Sequence, residues 1–383
     1  MKVYLDNAAT TMVDPKVVKS MLPFFSEKFG NASSIHQFGK ETKKAVERSR
    51  SIIAKKINAD PYEIVFTSGG TESDNLAIRG AAHANKHIGK HIIISKIEHP
   101  AVLNTCNSLM EEGFEVTLLD VDSEGFVDLK AFEKAITKKT ILVSIMHANN
   151  EIGAIQPIRK IGEICKKKRI LFHTDAVQSL TKVPIDVKKM HIDLLSVSSH
   201  KIHGPKGIGA LFIRKGAKIE EQMTGGSHES GLRAGTQNVP GIVGFGKAVD
   251  IAKESDVKHM KRLRDRLISG LLGIKGSKLN GPKGNGRLCN NVNIGFRGVE
   301  GESLMMYLDT KGIASSTGSA CSNLLIKEGG VSHVLQAICK DLEFATGSIR
   351  LTLSRFNTEK DVDYTIKSVK EVVKHLRKIS GVK

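Results

Sequence analysis

A lysine stands where a strand-like run gives way to a turn. In SVSSHKIHGPKGIGAL, residues 196–211, the apolar stretch ends at Ser198-Ser199-His200-Lys201 and a Gly/Pro-rich turn follows. Lys201, beside hydroxyls and an imidazole, has the setting of a Schiff-base lysine, because burial and a neighbouring cation lower an amine's pKa and let it attack an aldehyde. An exposed turn lysine has the same local signature. Two further segments carry complementary chemistry. FTSGGTESDNLAIRG, 66–80, runs from a strand through Gly69-Gly70 and Thr71 into a helix, whose first N–H groups suit a phosphate. It is not the Walker pattern, since no Lys-Ser/Thr follows the glycines, and a plain strand-to-helix turn reads the same way. In HTDAVQS, 173–179, Asp175 ends an apolar strand, where a buried carboxylate needs a cation or a donor. A protonated pyridine nitrogen would serve, with Gln178 on the ring oxygen; so would a simple N-cap role.

Cys321 lies in SSTGSACSNLLIKEGG, 315–330, the least core-like setting of the five cysteines. Cys106, Cys165 and Cys339 sit in helix-like runs and Cys289 beside a strand. A loop thiol in a basic protein can be a low-pKa nucleophile, or incidental. Single residues complete the set: His99 in KIEHPAV, Asn150 in HANNEIG, Asn31 and His36 in GNASSIHQFG, and Arg350 in GSIRLTLSRF. His99, between a strand and a helical run, could lie over a flat ring; Arg350 suits a bidentate grip on a carboxylate. A structural histidine and a surface ion pair are the ordinary readings of such residues.

The elements that must position these groups are βα units. EIVFTS (63–68), HIIIS (91–95), EVTLLDV (115–121), TILVSIM (140–146), ILFHTDA (170–176), DLLSVSS (193–199) and GALFI (209–213) are apolar on consecutive positions, as strands buried on both faces are. Helical patterns separate most of them, including 158–168, so the fold class is α/β with a mostly parallel sheet. Ligands of such sheets bind at the carboxyl ends of the strands, where the candidate residues fall. After Val257 the pattern changes. Met260, Leu263, Leu267 and Leu271 make one helical stripe, NNVNIGF reads as a strand, and a last helix runs over 359–379, capped by Thr358. The expected organisation is a large α/β domain over 14–257 and a smaller α+β domain formed by 1–13 and 258–383.

The 383 residues are 40% apolar and 26% charged, which excludes a disordered or collagen-like chain. Fifty-eight Lys+Arg against 40 Asp+Glu give a net charge of +18, spread along the chain. With no Trp and only four Tyr there is no basic–aromatic interleaving for stacking bases, so nucleic acid is a weak reading and a lysine-rich surface the better one. No apolar run approaches the ~18 residues of a membrane helix, and the first fifteen residues do not read as a signal peptide. The expected location is the cytoplasm. The absence of any CxxC pair argues against zinc.

Taken together, YLDNAATT, NASSIHQFG, TSGGTESDN, EHPAV, NNEIG, HTDAVQS, SSHKIHGPKGIGAL, GLRAGTQNVPGIVGFG, VEGESL, GSAC and SIRLTLSRF resemble, in order and over nearly the whole chain, the cysteine desulfurases. These are the NifS/IscS-like group of pyridoxal 5'-phosphate (PLP) enzymes in the class V aminotransferase family. The resemblance implies PLP fold type I. It implies Lys201 as the Schiff-base lysine, Asp175 on the pyridinium nitrogen, Gln178 on the phenolic oxygen, His99 over the ring and Asn150 near it. Thr71 with the Gly70 backbone, Ser198 and His200 would hold the phosphate. Thr236 would reach the phosphate of a neighbouring subunit, implying a homodimer. Arg350, with Asn31, would bind the substrate carboxylate, and Cys321 would take sulfur from L-cysteine as a persulfide, releasing L-alanine. The persulfide sulfur would pass to an acceptor such as an iron–sulfur scaffold, or to tRNA thiolation. Selenocysteine lyase, another class V aminotransferase and an inactive scaffold are the alternatives. His203 stands where the group usually has Tyr, and His228-Glu229 where it usually has Gln-Glu.

Overall fold

The structure, a computed structural model, describes residues 1–317, 331–339 and 341–381. Cys321 lies outside the described residues. The seven apolar runs form one sheet of strands Ile64–Thr67, His91–Ser95, Glu115–Leu119, Thr140–Ser144, Leu171–Asp175, Leu194–Ser198 and Gly209–Ile213. Across the sheet, named by their first residues, they lie in the order 64, 209, 194, 171, 140, 91, 115. The five strands beginning at 194, 171, 140, 91 and 115 are parallel, and the 209 strand pairs antiparallel with both its neighbours.

Continuous apolar runs bury both faces. Ile92, Ile93 and Ile94 are shielded on one side by helices Gly70–Asn85 and Pro100–Glu111, through Ala77, Ile78, Val102 and Cys106. On the other side Ile93 shares a core with Val46 and Ile53 of helix Gln37–Lys56 and Phe245 of helix Val239–Ile251. Glu115–Leu119 departs from the expectation of two buried faces: it is an edge strand with one neighbour, and Leu118 is exposed.

A second core gathers around a three-stranded antiparallel sheet, Ser277–Leu279, Asn291–Phe296 and Ser348–Thr352. Helices Glu254–Leu272 and Glu359–Ile379 cover it with Leu263, Leu267, Leu271, Val362, Val369 and Val373. Thr358 caps the last helix reciprocally: its hydroxyl accepts from Asp361 N at 3.2 Å, and the Asp361 carboxylate accepts from Thr358 N at 2.8 Å. Val3 and Leu5 are buried in this core, and Val3–Tyr4 pairs in parallel with Ile313–Ala314. Residues 6–9 are thereby carried to the seam between the two cores. No helix among the described residues is long and apolar enough to cross a membrane.

Candidate active site

Parallel strands deliver their carboxyl ends to one rim, and the segments leaving that rim line a cleft of about 280 Å³. Gly70, Thr71, His99, Asn150, Asp175, Gln178, Ser198, His200, Lys201 and Arg350 all line it. The structure thus brings together ten of the thirteen residues expected from the sequence. Asn31 and Thr236 are exposed and do not line this cleft. The third, Cys321, is outside the described residues, but Ser316, five positions before it, does line the cleft.

Lys201 ends a single 3-10 turn, Ser199–Lys201, that follows its strand directly. Its Nζ donates to the carbonyls of Ala8 and Ala9 at 2.6 and 2.7 Å. Gln178 Nε2 donates to the Ala8 carbonyl at 3.0 Å. The N-terminal segment is therefore part of the site, which no local sequence signal shows.

Asp175 is buried, and one carboxylate oxygen accepts from Val177 N at 2.8 Å. Burial pushes its carboxyl up, against the opposing effects of that N–H and of Lys201. Behind it, burial and the charge of Asp175 hold the Asp74 carboxyl well above the usual carboxylate range. His173, fully buried and 3.0 Å from Ser196 Oγ, is pushed down to about 3 by burial and stays neutral beside Asp74. The pair therefore has one strongly neutralised member, Asp74, and one, Asp175, open to a cationic partner in the cleft.

The helix Gly70–Asn85 aims its first turn at the same space. Gly70 is required by close approach: a Cβ there would meet Val177 Cγ2 at 2.7 Å. His99 caps helix Pro100–Glu111, its Nδ1 accepting from Ala101 N at 3.1 Å. Burial, then the charges of Lys201 and His333, push it down to about 4, so it is neutral with its proton on Nε2. His200 is likewise pushed to about 4, mainly by burial. Its Nδ1 lies 3.1 Å from Thr10 Oγ1.

Arg350 is buried and paired with Asp6 at 2.8 Å, while its Nη1 donates to the Asn150 carbonyl at 3.4 Å. Among the described residues its buried Nε has no hydrogen-bond partner. Asp6, Glu151, Ser316 and His333 also line the cleft and were not singled out from the sequence. Glu151 was legible only as the neighbour of Asn150 in NNEIG, and His333 carried no signal.

The departure at His203 is structural, and beside the departure at His228 the motif's Glu229 is kept as an anchor. His203 donates Nδ1–H to the Met12 carbonyl at 2.9 Å and packs edge-on against Phe356. Glu229 is buried, accepts from both terminal nitrogens of Arg50 at 2.6 and 3.0 Å and from Phe66 N at 2.9 Å, and anchors the turn that carries Thr236.

The donor set suits PLP: an amine, a buried carboxylate in want of a cation, and a helix start for an anion lie in one cleft. The family described as aminotransferase class-V matches residues 3–365. The chain is 52% identical to the cysteine desulfurase IscS of Clostridium botulinum, over 99% of this chain and 96% of that one. A solved NifS-like protein superposes with a TM-score of 0.91 at 42% identity, covering 98% of this chain and 100% of that one. A structure described as SspA in complex with cysteine superposes at 0.83 with 38% identity, over 93% and 100%.

Proposed function

The chain belongs to the aminotransferase class-V family and is an enzyme of its cysteine desulfurase group, and we propose that its cleft binds PLP and L-cysteine and delivers the sulfur to Cys321. The observation that carries this reading is the convergence of Lys201, Asp175 and Arg350 in one cleft. Lys201 would hold the cofactor's aldehyde carbon, Asp175 its ring nitrogen and Gln178 its phenolic oxygen. Gly70, Thr71, Ser198 and His200 would hold its phosphate, joined by Thr236 of the partner subunit. PLP, when bound, supplies an electron sink for the carbon that carries the substrate's amino group.

Arg350 orients the substrate through its carboxylate, with Asp6 fixing the plane of the guanidinium. Asn31 would join it from its exposed turn. His99 presents its Nε2 proton to the cleft. The Cys321 thiolate attacks the substrate's sulfur. The C–S bond breaks with its electron pair on carbon, carbon takes a proton, and alanine leaves. Ser316 is anchored by backbone hydrogen bonds in both directions with Arg350. Five residues span at most about 17 Å, which keeps Cys321 in reach of the cleft.

A homodimer is supported by the exposed Phe25, Phe29, Ile35 and Phe38, with the Phe29 and Phe38 rings 5.6 Å apart, and by the exposure of Thr236. The cytoplasm, which keeps thiols reduced, suits a reaction that needs a free Cys321. The persulfide then serves a sulfur acceptor in iron–sulfur cluster assembly or tRNA thiolation. The test is release of alanine and sulfide from cysteine with and without PLP, with mass spectrometry locating the added sulfur. Sulfur on Cys106, Cys165, Cys289 or Cys339 overturns the assignment.

A further inference from the structure

Gln178 and Lys201 follow neighbouring strands of the sheet, Leu171–Asp175 and Leu194–Ser198, and they are tied to each other twice. In the cleft their side chains meet on one acceptor: Lys201 Nζ and Gln178 Nε2 both donate to the Ala8 carbonyl, at 2.6 and 3.0 Å. Behind the cleft their main chains meet on one donor: Lys182 Nζ donates to the Gln178 carbonyl at 2.9 Å and to the Lys201 carbonyl at 3.3 Å. These two carbonyls are the only hydrogen-bond acceptors of that ammonium among the described residues. Local structure puts it there. The turn after Asp175 sends the N–H groups of Ser179 and Leu180 to the Ala176 carbonyl, and those of Lys182 and Val183 to the Ser179 carbonyl. The Gln178 carbonyl thus receives no backbone N–H among the described residues, and the lysine four positions on satisfies it instead. Desolvation pushes the Lys182 ammonium down to about 8, so it is charged at neutral pH, and the charge strengthens both contacts.

The tie at Ala8 uses the very atoms that the cofactor would engage. Condensation of a lysine amine with an aldehyde forms a C=N bond and expels the aldehyde oxygen as water, so the nitrogen loses N–H groups. Gln178 Nε2 would turn to the ring oxygen. The tie at Lys182 uses main-chain carbonyls and is indifferent to both changes. Lys182 is not among the residues that line the cleft, so its part is played through the two residues it joins. We propose that Lys182 is a positioning residue for the cofactor linkage: its ammonium fixes the spacing of the Lys201 and Gln178 main chains, so that Nζ reaches the aldehyde carbon while the amide holds the ring.

The inference rests on the PLP reading, and a pair of ligands separates it from a purely structural role. Lys182→Met keeps the length of the side chain and loses the donor. Two compounds are titrated into the full chain freed of cofactor: PLP, and its deoxy analogue, which carries a methyl group in place of the aldehyde and binds through ring and phosphate only. Lys182→Met is expected to raise the Kd of PLP by about tenfold and that of the analogue by less than about threefold, because the charge-assisted contacts behind the linkage are lost. At a PLP concentration that saturates wild type, borohydride should trap a smaller share of the variant as pyridoxyl-Lys201. Lys182→Gln, with a neutral donor on a shorter stem, should show the same selective loss, and it replaces the Met variant if circular dichroism finds that variant unfolded. Wild-type affinity for PLP in these variants, an equal loss for both ligands, or failure of both variants to fold overturns the proposal. Wild type that takes up neither ligand means that the cofactor reading itself has failed; wild type that takes up both, with the variants unchanged, means that only the role of Lys182 has.

Discussion

On one wall of the cleft, Gly70, Thr71, Asp175 and Ser198 sit at a strand end or within four residues of one, and their neighbours in the same turn hold them. On the facing wall the contacts join segments remote in sequence: Arg350 to Asp6 across 344 residues and Ser332 to Glu151 across 181. Lys201 belongs to the first wall by its turn and to the second by its reach to Ala8 and Ala9. The first wall forms wherever its βα units fold. The second exists only when the N-terminal segment and the antiparallel sheet close over the first. Substitutions on the strand-end wall should therefore remove chemistry, while those on the far wall should weaken substrate binding or alter the pH response.

Lys201→Ala is the most severe test, since it removes the group common to both walls. Turnover should fall below detection. Borohydride reduction of the wild-type holoenzyme followed by peptide mapping should place the pyridoxyl label on Lys201, and a label on any other lysine refutes the assignment. Cys321→Ser should reduce sulfide release to background while leaving intact the spectral response to added cysteine, because both walls remain. Unchanged desulfuration in this variant would remove Cys321 from the reaction.

Arg350→Lys comes next. It loses the bidentate geometry at the carboxylate, a charge-assisted contact worth ~1.5–3 kcal/mol, so KM for cysteine should rise about tenfold to a hundredfold with kcat little changed. Asp6→Asn frees the guanidinium from its orienting partner and should act in the same direction and less strongly, by about threefold to tenfold. A loss confined to kcat would show that this wall does chemistry as well as binding.

The smallest effect concerns pH. Burial pushes Glu98 from the ordinary carboxylate value up to about 8. A carboxyl raised in the fold contributes stability fully below its unfolded pKa, about 4.3, and loses it as pH rises through the folded value. Buried His147 and His173, pushed down to about 4 and about 3, act oppositely: their contribution is lost as pH falls below about 6.5. Glu98→Gln removes only the first effect. The Tm of the variant relative to wild type should climb by several degrees between about pH 5 and pH 8, then level off. A difference independent of pH would mean that Glu98 is ionised in the fold throughout.

Local physics determined much of this protein in the sequence itself. Unbroken apolar runs such as Ile92-Ile93-Ile94 could only be strands covered on both faces, and the 3.6-residue stripe from Val362 to Leu376 behind Thr358 could only be a capped helix. Motifs at the ends of such strands had to share a rim, because parallel strands point their carboxyl ends the same way. Tertiary structure alone decided which groups face one another across that rim. The carbonyls of Ala8 and Ala9 at Lys201, the carboxylate of Asp6 on Arg350 and the Glu98 carbonyl at His333 leave no periodic or spacing signal. Nor could the run at 115–119 show that it would be an edge with one neighbour. Each of these depends on a contact closed over a long stretch of chain, and such a contact is specified by the packing of both cores together rather than by the residues on either side of it.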